Sequence, residues 1–497
     1  MKIRLEHRTP NIERRTPDAG LVVVQRLAFD VRRFSAQRGS VLIIVLWVCI
    51  GLVGIALYFA NSMTYELRAS DNRVSGLAAD QAIEGAARYV SYVLSNYATN
   101  GAVPASSEFA CAAVPVGDAK FWLIGRDPDA GISGVTPTGP TFGLIDEGSK
   151  LNLNAANTNA LSYLPNMTGD FAQAIVDWRS TNGIVGLDYS TLGYYPKYAP
   201  FETVDELRLV YGATVDLLAG DDINRNGVLD ANEKDSTGTG QLNSGLFEYT
   251  TIWTREPNFH SDGTLLTNVN AIVSQLSKIP PDQQQERFVS FFQTFFQAEG
   301  VGSSDTVATS LYRSYGTQGA FRSVLDFAIR CRNANMSVAD FTKIYNDVTW
   351  KDPTNAASTY FRGRVNVNTA SADVLTALLM GLNIDQETAS GAAQTLVTYR
   401  EQNPGNLNSI GWLIDALGNG NSVLTTLARG DYVTTKSFQF TADIAAVGPF
   451  GRGYRRVKFI FDTSEGAPII LYRQDLSRLG WALGDKARQT LVAKDTP

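Results

Sequence analysis

Residues 39–60 read GSVLIIVLWVCIGLVGIALYFA, and from Val41 to Ala60 no side chain carries a charge. As a helix these 20 residues span about 30 Å, the thickness of one bilayer core. The flanks differ in charge. Arg32, Arg33 and Arg38 precede the run, while Asn61, Ser62, Thr64 and then Glu66 follow it. The positive-inside rule keeps such an N-terminus in the cytoplasm and exports the body behind it. A cleaved secretory signal matches less well, because the run is long and no clear small-x-small cleavage site follows. Residues 64–94 contain no proline and are rich in Ala, Leu, Glu, Arg and Gln, so the helix is expected to continue past the membrane. Its predicted buried stripe is Leu77, Ala82, Ala86, Tyr89 and Leu94.

Around this rod lies a large globular chain. It has 497 residues, 44% hydrophobic and 19% charged, enough for more than one domain with a packed core. Residues 1–39 hold nine Lys/Arg against four acids, which leaves 34 basic and 45 acidic residues in the remainder. A body with net charge −11 repels phosphate backbones, so nucleic acid is not an expected partner. His7 and His260 are the only histidines, too few for a multi-histidine metal site or a histidine-based hydrolase. No Gly-x-Ser-x-Gly, P-loop or zinc signature occurs, and no catalytic residues are assigned. Cys49 lies in the apolar run. Cys111 and Cys331 lie in the body, as candidates either for a disulfide or for two free thiols.

The rest of the body is bracketed by strand signals. Phe121-Trp122-Leu123-Ile124 and Thr141-Phe142-Gly143-Leu144-Ile145 come early. Late in the chain Phe438, Phe440, Ala442 and Ile444 alternate with polar residues, followed by apolar runs at 457–461 and 468–472. One antiparallel sheet packed on the long helix is the simplest arrangement, with the middle of the chain inserted between its strands. That middle holds a repeat. Leu151-Asn152-Leu153-Asn154-Ala155-Ala156 is echoed by Val365-Asn366-Val367-Asn368-Thr369-Ala370, and each copy leads to a helix ending Asp177-Trp178-Arg179 or Thr398-Tyr399-Arg400. The second Asn of each pair is expected to cap the helix that follows. The units look like helix-hairpin-helix modules, but Asn166-Met167-Thr168 stands where such modules place the glycines that admit phosphate. A helix carrying Phe288, Phe291, Phe292, Phe295 and Phe296 is expected to pack inward. The expected class is therefore α+β, with segments 1–39, 40–62, 63–150, an inserted helical region 151–430, and 431–497.

Within the insert, residues 222–233 read DINRNGVLDANE. Oxygen-bearing Asp222, Asn224, Asn226, Asp230 and Glu233, the Val228 carbonyl and a turn-forming Gly227 fall at the positions of an EF-hand loop. Hard oxygen donors at this spacing suit Ca²⁺ in a structural role; the alternative is a solvated Asp/Asn-rich turn.

Two resemblances follow from these residues. Arg38-Gly39-Ser40-Val41-Leu42 resembles a type IV prepilin processing site, which implies cleavage after Gly39 and methylation of the new Ser40 amine with the helix retained. The order of Asp146-Glu147-Gly148-Ser149-Lys150-Leu151-Asn152-Leu153-Asn154, the Asp177-Trp178-Arg179 helix, Thr250-Thr251-Ile252-Trp253 and Val365-Asn366-Val367-Asn368-Thr369-Ala370 resembles type II secretion system protein K, the K-type minor pseudopilins. Most pilins carry glutamate at the fifth mature position. Here it is Ile44, as in K-type proteins, and a carboxylate at that depth is costly without a partner. The resemblance implies a pilin-like helix-on-sheet fold and a non-catalytic tip subunit of the pseudopilus. It also implies a single-pass inner-membrane protein with a periplasmic head. The implied partners are the I- and J-type minor pseudopilins, the major pseudopilin, the prepilin peptidase and the inner-membrane assembly platform, with exported substrates and the secretin as further candidates. A membrane-anchored periplasmic enzyme and a DNA-uptake module are the alternatives. The segment 257–360 is long for the family.

Overall fold

The computed structural model describes residues 40–127 and 139–493; Gly39 and the basic leader lie outside them. The chain divides into two compact units, residues 1–68 and 69–497, and the helix Ser40–Tyr97 contributes to both. In the first unit, the helical residues from Val41 onward leave their large apolar side chains exposed, Trp47 at 73% and Leu42 at 75%. The run is long and apolar enough to cross a membrane, with a mean hydropathy of 2.8 over its best window.

The second unit is α+β. Its sheet runs Val114–Val116, Ala119–Ile124, Gln439–Val447, Arg455–Asp462, Ile469–Asp475, with Ile145–Asp146 also pairing to Gln439–Val447. Every pairing is antiparallel. The central strand Gln439–Val447 is buried at every position, because both of its faces are covered. On one face Phe121, Leu123, Phe440, Ala442, Ile444 and Phe459 pack against Ala79, Ala82, Ile83, Ala86, Val90 and Leu94 of the helix. Small alanines let backbone and sheet approach. The loop after the central strand comes closest, and Gly453 at φ +69° would place any Cβ 2.4 Å from the Ser75 carbonyl carbon. Leu77 does not join the stripe and is 58% exposed. Five residues separate it from Ala82, which turns it about 140° away around a helix of 3.6 residues per turn. Of the predicted strand at 141–145, only Ile145 enters the sheet, and Phe142 makes a single bridge to Ile124.

The other face is split. Trp122, Ile124, Ala445 and Val447 pack under Ala482 and Leu483 of the C-terminal segment. Thr441, Asp443 and Arg456 are buried and polar; Thr441 meets Glu147, and Arg456 pairs with Asp443 and reaches the Asn224 carbonyl of the insert.

The insert contains three copies of the repeat, not two. In each a short strand pairs in parallel with a later one: Leu151–Asn152 with Thr250–Thr251, Thr267–Asn268 with Val348–Thr349, and Val365–Asn366 with Val433–Thr434. The middle copy lies within 257–360, the segment that is long for the family. The first Asn of each copy accepts the N–H of the second through its side-chain oxygen, at 2.8 Å for Asn152–Asn154 and 2.9 Å for Asn268–Asn270 and Asn366–Asn368. Asn154 and Asn368 are not helix caps, and Asn270, which directly precedes the helix Ala271–Leu276, makes no capping bond with its side chain. Asn154 exchanges two hydrogen bonds with the Phe201 backbone, and Asn270 does the same with Phe321. Asn368 donates to Leu407 O and accepts from the Trp412 indole. In the first and third copies a turn intervenes before the helix begins, so the caps fall later, at Asn157 and Ser371. Phe288, Phe292 and Phe296 of the middle copy are fully buried in the core expected of them, Phe292 meeting Phe321 edge-on and stacking on Phe327, while Phe291 and Phe295 are only partly buried. Cys331 sits in that same core, whereas Cys111 packs beside the sheet. The two belong to different cores, and both are free thiols.

Candidate metal centre

The loop 222–233 is entered from the short helix Val215–Ala219, and the next helix begins only at Leu246, so no second helix flanks it directly. Its internal bonding follows from its residue types. The Asp222 carboxylate accepts the N–H groups of Asn226 (2.9 Å) and Gly227 (2.8 Å). Glu233 accepts those of Asn224 and Asp230, both at 3.0 Å. The Val228 N–H donates to Asn226 Oδ1 at 3.0 Å. Gly227 has φ +84°, the left-handed turn that brings the second half of the loop back over the first.

Asp222, Asn224, Asn226 and Val228 are buried, Asp230 and Glu233 only partly. Burial pushes the Asp222 carboxyl up to about 6, although Arg126 and the two backbone N–H groups pull the other way. The ionised form is therefore costly there, the Arg126 guanidinium offsetting burial only in part. Asn224 Oδ1 is a buried acceptor with no hydrogen-bond partner, and an orphaned amide oxygen is a donor of the kind a hard cation takes. Among the described residues no trio of His, Cys, Asp and Glu converges as a ready metal cluster. The donor set rests on amide and backbone oxygens beside Asp222, Asp230 and Glu233, and the Asp230 carboxylate is engaged by the amide groups of Asn224 (2.6 Å) and Asn226 (2.9 Å).

Sequence reading alone missed the supports of this loop. Arg456, fully buried on the strand Arg455–Asp462, forms a two-pronged ion pair with Asp443 of the central strand, at 2.8 and 2.6 Å. Its remaining N–H groups donate to the carbonyl oxygens of Asn224 and Arg225. Arg126 also donates to Arg225 O, at 3.0 Å, and pairs with Glu248 at 2.8 Å. Two fixed guanidinium groups thus carry the loop on the sheet. A cavity of about 250 Å³ lies beside it, lined by Arg126, Lys150, Gly227, Leu229, Tyr249 and Asp373.

A second buried polar centre joins sheet and insert. Asp146 accepts from Asn366 and Thr369 of the third copy, and Glu147 accepts from Thr251 of the first copy and Thr441 of the sheet. Burial raises the Asp146 pKa despite these donors. Burial also opposes ionisation of Glu147, but Lys150 and the two threonine hydroxyls outweigh it and the pKa falls. These roles are structural; the hydrogen-bonding capacity of both carboxylates is taken up inside the fold.

The hairpin of the first copy, where a helix-hairpin-helix module would meet phosphate, is engaged from within. Asn166, at φ +60°, donates its side-chain amide to Asn243 Oδ1 at 2.7 Å. Of the processing residues, Ser40 begins the long helix and Gly39 is outside the described residues.

Compared with known family models and with curated proteins, the chain matches none.

Proposed function

We propose that this chain is a K-type minor pseudopilin, a structural subunit at the tip of the type II secretion pseudopilus, trimmed at Gly39 and drawn from the inner membrane into the fibre by its helix. The observation that carries the reading is the helix Ser40–Tyr97. Its first part is a bare apolar span, and its later part, from Ala79 to Leu94, is packed on an antiparallel sheet whose strands come from both sides of a large insert. A subunit of this kind associates through hydrophobic helix packing and performs no catalysis. Its head meets the I- and J-type minor pseudopilins, and the loop 222–233 takes up Ca²⁺ to stiffen that head. The occupied hairpin and the net charge favour protein over nucleic acid as the partner.

Mass spectrometry of the protein from assembled fibres tests this directly. The expected species begins at Ser40 with a methylated amine. A chain that keeps residues 1–39 while supporting assembly overturns the reading, as does normal secretion in a strain that lacks the protein.

A further inference from the structure

The two asparagines of the candidate cation loop each face two ways. Asn224 Nδ2 donates to Trp481 O at 3.2 Å, and Asn226 Nδ2 donates to Ala482 O at 3.3 Å. These carbonyls open the C-terminal segment. Ala482 and Leu483 are buried against Trp122, Ile124, Ala445 and Val447, with Ala487 and Leu491 packed beside them. Trp481 is fixed by its indole N–H on Gly484 O at 2.9 Å and by its ring against Tyr454. The side-chain amide that would offer oxygen to a cation is therefore the same group whose NH₂ holds the C-terminus. Asn224, 6% exposed, makes the point sharpest, because its NH₂ is engaged and its oxygen has no partner.

We propose that cation binding at loop 222–233 and docking of the C-terminal segment, Trp481 to Ala493, are thermodynamically coupled through the amides of Asn224 and Asn226. This rests on reading the loop as a cation site. Ligation of an amide oxygen withdraws electron density from its nitrogen and strengthens the N–H donor. It also fixes the amide plane with the NH₂ aimed at Trp481 and Ala482, so the entropy of orienting each group is lost once for two contacts. Arg456 and Arg126 hold the loop's backbone carbonyls, while the two side-chain NH₂ groups donate to Asp230 of the loop and to the C-terminal segment. Coupling is reciprocal, so whatever factor calcium adds to docking, docking adds to calcium affinity.

The test uses the full chain in detergent micelles, with calcium titrated by calorimetry and backbone hydrogen exchange read by mass spectrometry over the C-terminal segment. Calcium is expected to slow exchange there by about tenfold or more, within the usual range of such couplings. The double variant N224D/N226D keeps an oxygen at each position and removes the NH₂ donors. It is expected to take up calcium without that added protection. Leu483→Ala, which loosens docking away from the loop, is expected to speed exchange and to lower calcium affinity by no more than the factor by which calcium slows exchange in the unaltered chain. Calcium uptake by the unaltered chain with unchanged exchange at the C-terminus overturns the coupling and leaves the site standing. Equal protection in N224D/N226D also overturns it. A flat calcium titration removes the metal site and the coupling together.

Discussion

Asn366 donates its side-chain amide to the Asp146 carboxylate at 2.9 Å, across 220 positions of sequence. Asp146 belongs to the sheet and Asn366 to the third copy of the repeat, so one hydrogen bond ties the insert to its platform. Asn366 also donates to Ser437 Oγ at 3.0 Å and accepts the Asn368 N–H. Asn366→Ala takes a partner from the buried Asp146 and Ser437 side chains and from the part-buried Asn368 N–H. The expected loss is about 2–3 kcal/mol, read as a lower denaturation midpoint of the full chain. Asn366→Asp sets a second carboxylate against Asp146 and is expected to cost more.

Glu147 predicts an acid-side signature. Its folded pKa lies below the ordinary value of 4.5. Its ionised form therefore contributes stability that is present above about pH 4.5 and lost as pH falls through the folded pKa. Thermal unfolding followed across that window should show the wild-type Tm dropping on acidification. Glu147→Gln should start lower and show a shallower drop. Asp146 has the opposite sign, since its pKa is raised. Its contribution is present below 3.8 and is lost as pH rises through the folded value.

The middle copy stands on its phenylalanines. Phe292 is fully buried, with ring centroids 4.9 Å from Phe288, 5.7 Å from Phe296 and 5.9 Å from Phe327. Phe292→Ala is expected to destabilise by about 3–5 kcal/mol, with early loss of hydrogen-exchange protection in residues 281–333. Phe295, half-buried at the edge of the cluster, should cost less when replaced by Ala.

Gly227 predicts a coupled defect. A Cβ there meets Arg126 Cδ at 2.9 Å, and the residue sits at φ +84°. Gly227→Ala should cost about 1–2 kcal/mol and, by displacing Arg126 from the Arg225 carbonyl, weaken calcium uptake in calorimetry. Glu233→Ala tests the site itself. Calcium should raise the Tm of the unaltered chain and leave this variant unmoved.

Patterns local in sequence were legible: the apolar run at 41–60, the alternation at 438–444, and the two copies that share an Asn-x-Asn turn and a helix ending in aromatic-Arg. The middle copy escaped because only Asn268-Val269-Asn270 survives of its turn, and its helix is rich in phenylalanine with no such ending. A signal was present all the same. Phe321-Arg322-Ser323-Val324 echoes Phe201-Glu202-Thr203-Val204, and each phenylalanine is the backbone partner of the copy's second Asn. The twelve-residue loop was visible by spacing, but its supports were not. Arg456 reaches Asn224 across 232 positions and Glu147 reaches Thr441 across 294, and no periodicity announces such pairs.

The sheet sets an order of events during synthesis. Its central strand, Gln439–Val447, is made long after Ala119–Ile124, the strand it pairs with. Each copy of the repeat closes on its own later strand, the first with Thr250–Thr251 and the second with Val348–Thr349, so two can condense while the chain is still growing. Phe121 and Leu123, together with the alanine face of the helix, must wait uncovered until the ribosome has passed residue 447. A nascent or truncated chain ending short of that point exposes a sticky half-sheet. Chaperone dependence should therefore be greatest for fragments that stop just before Gln439.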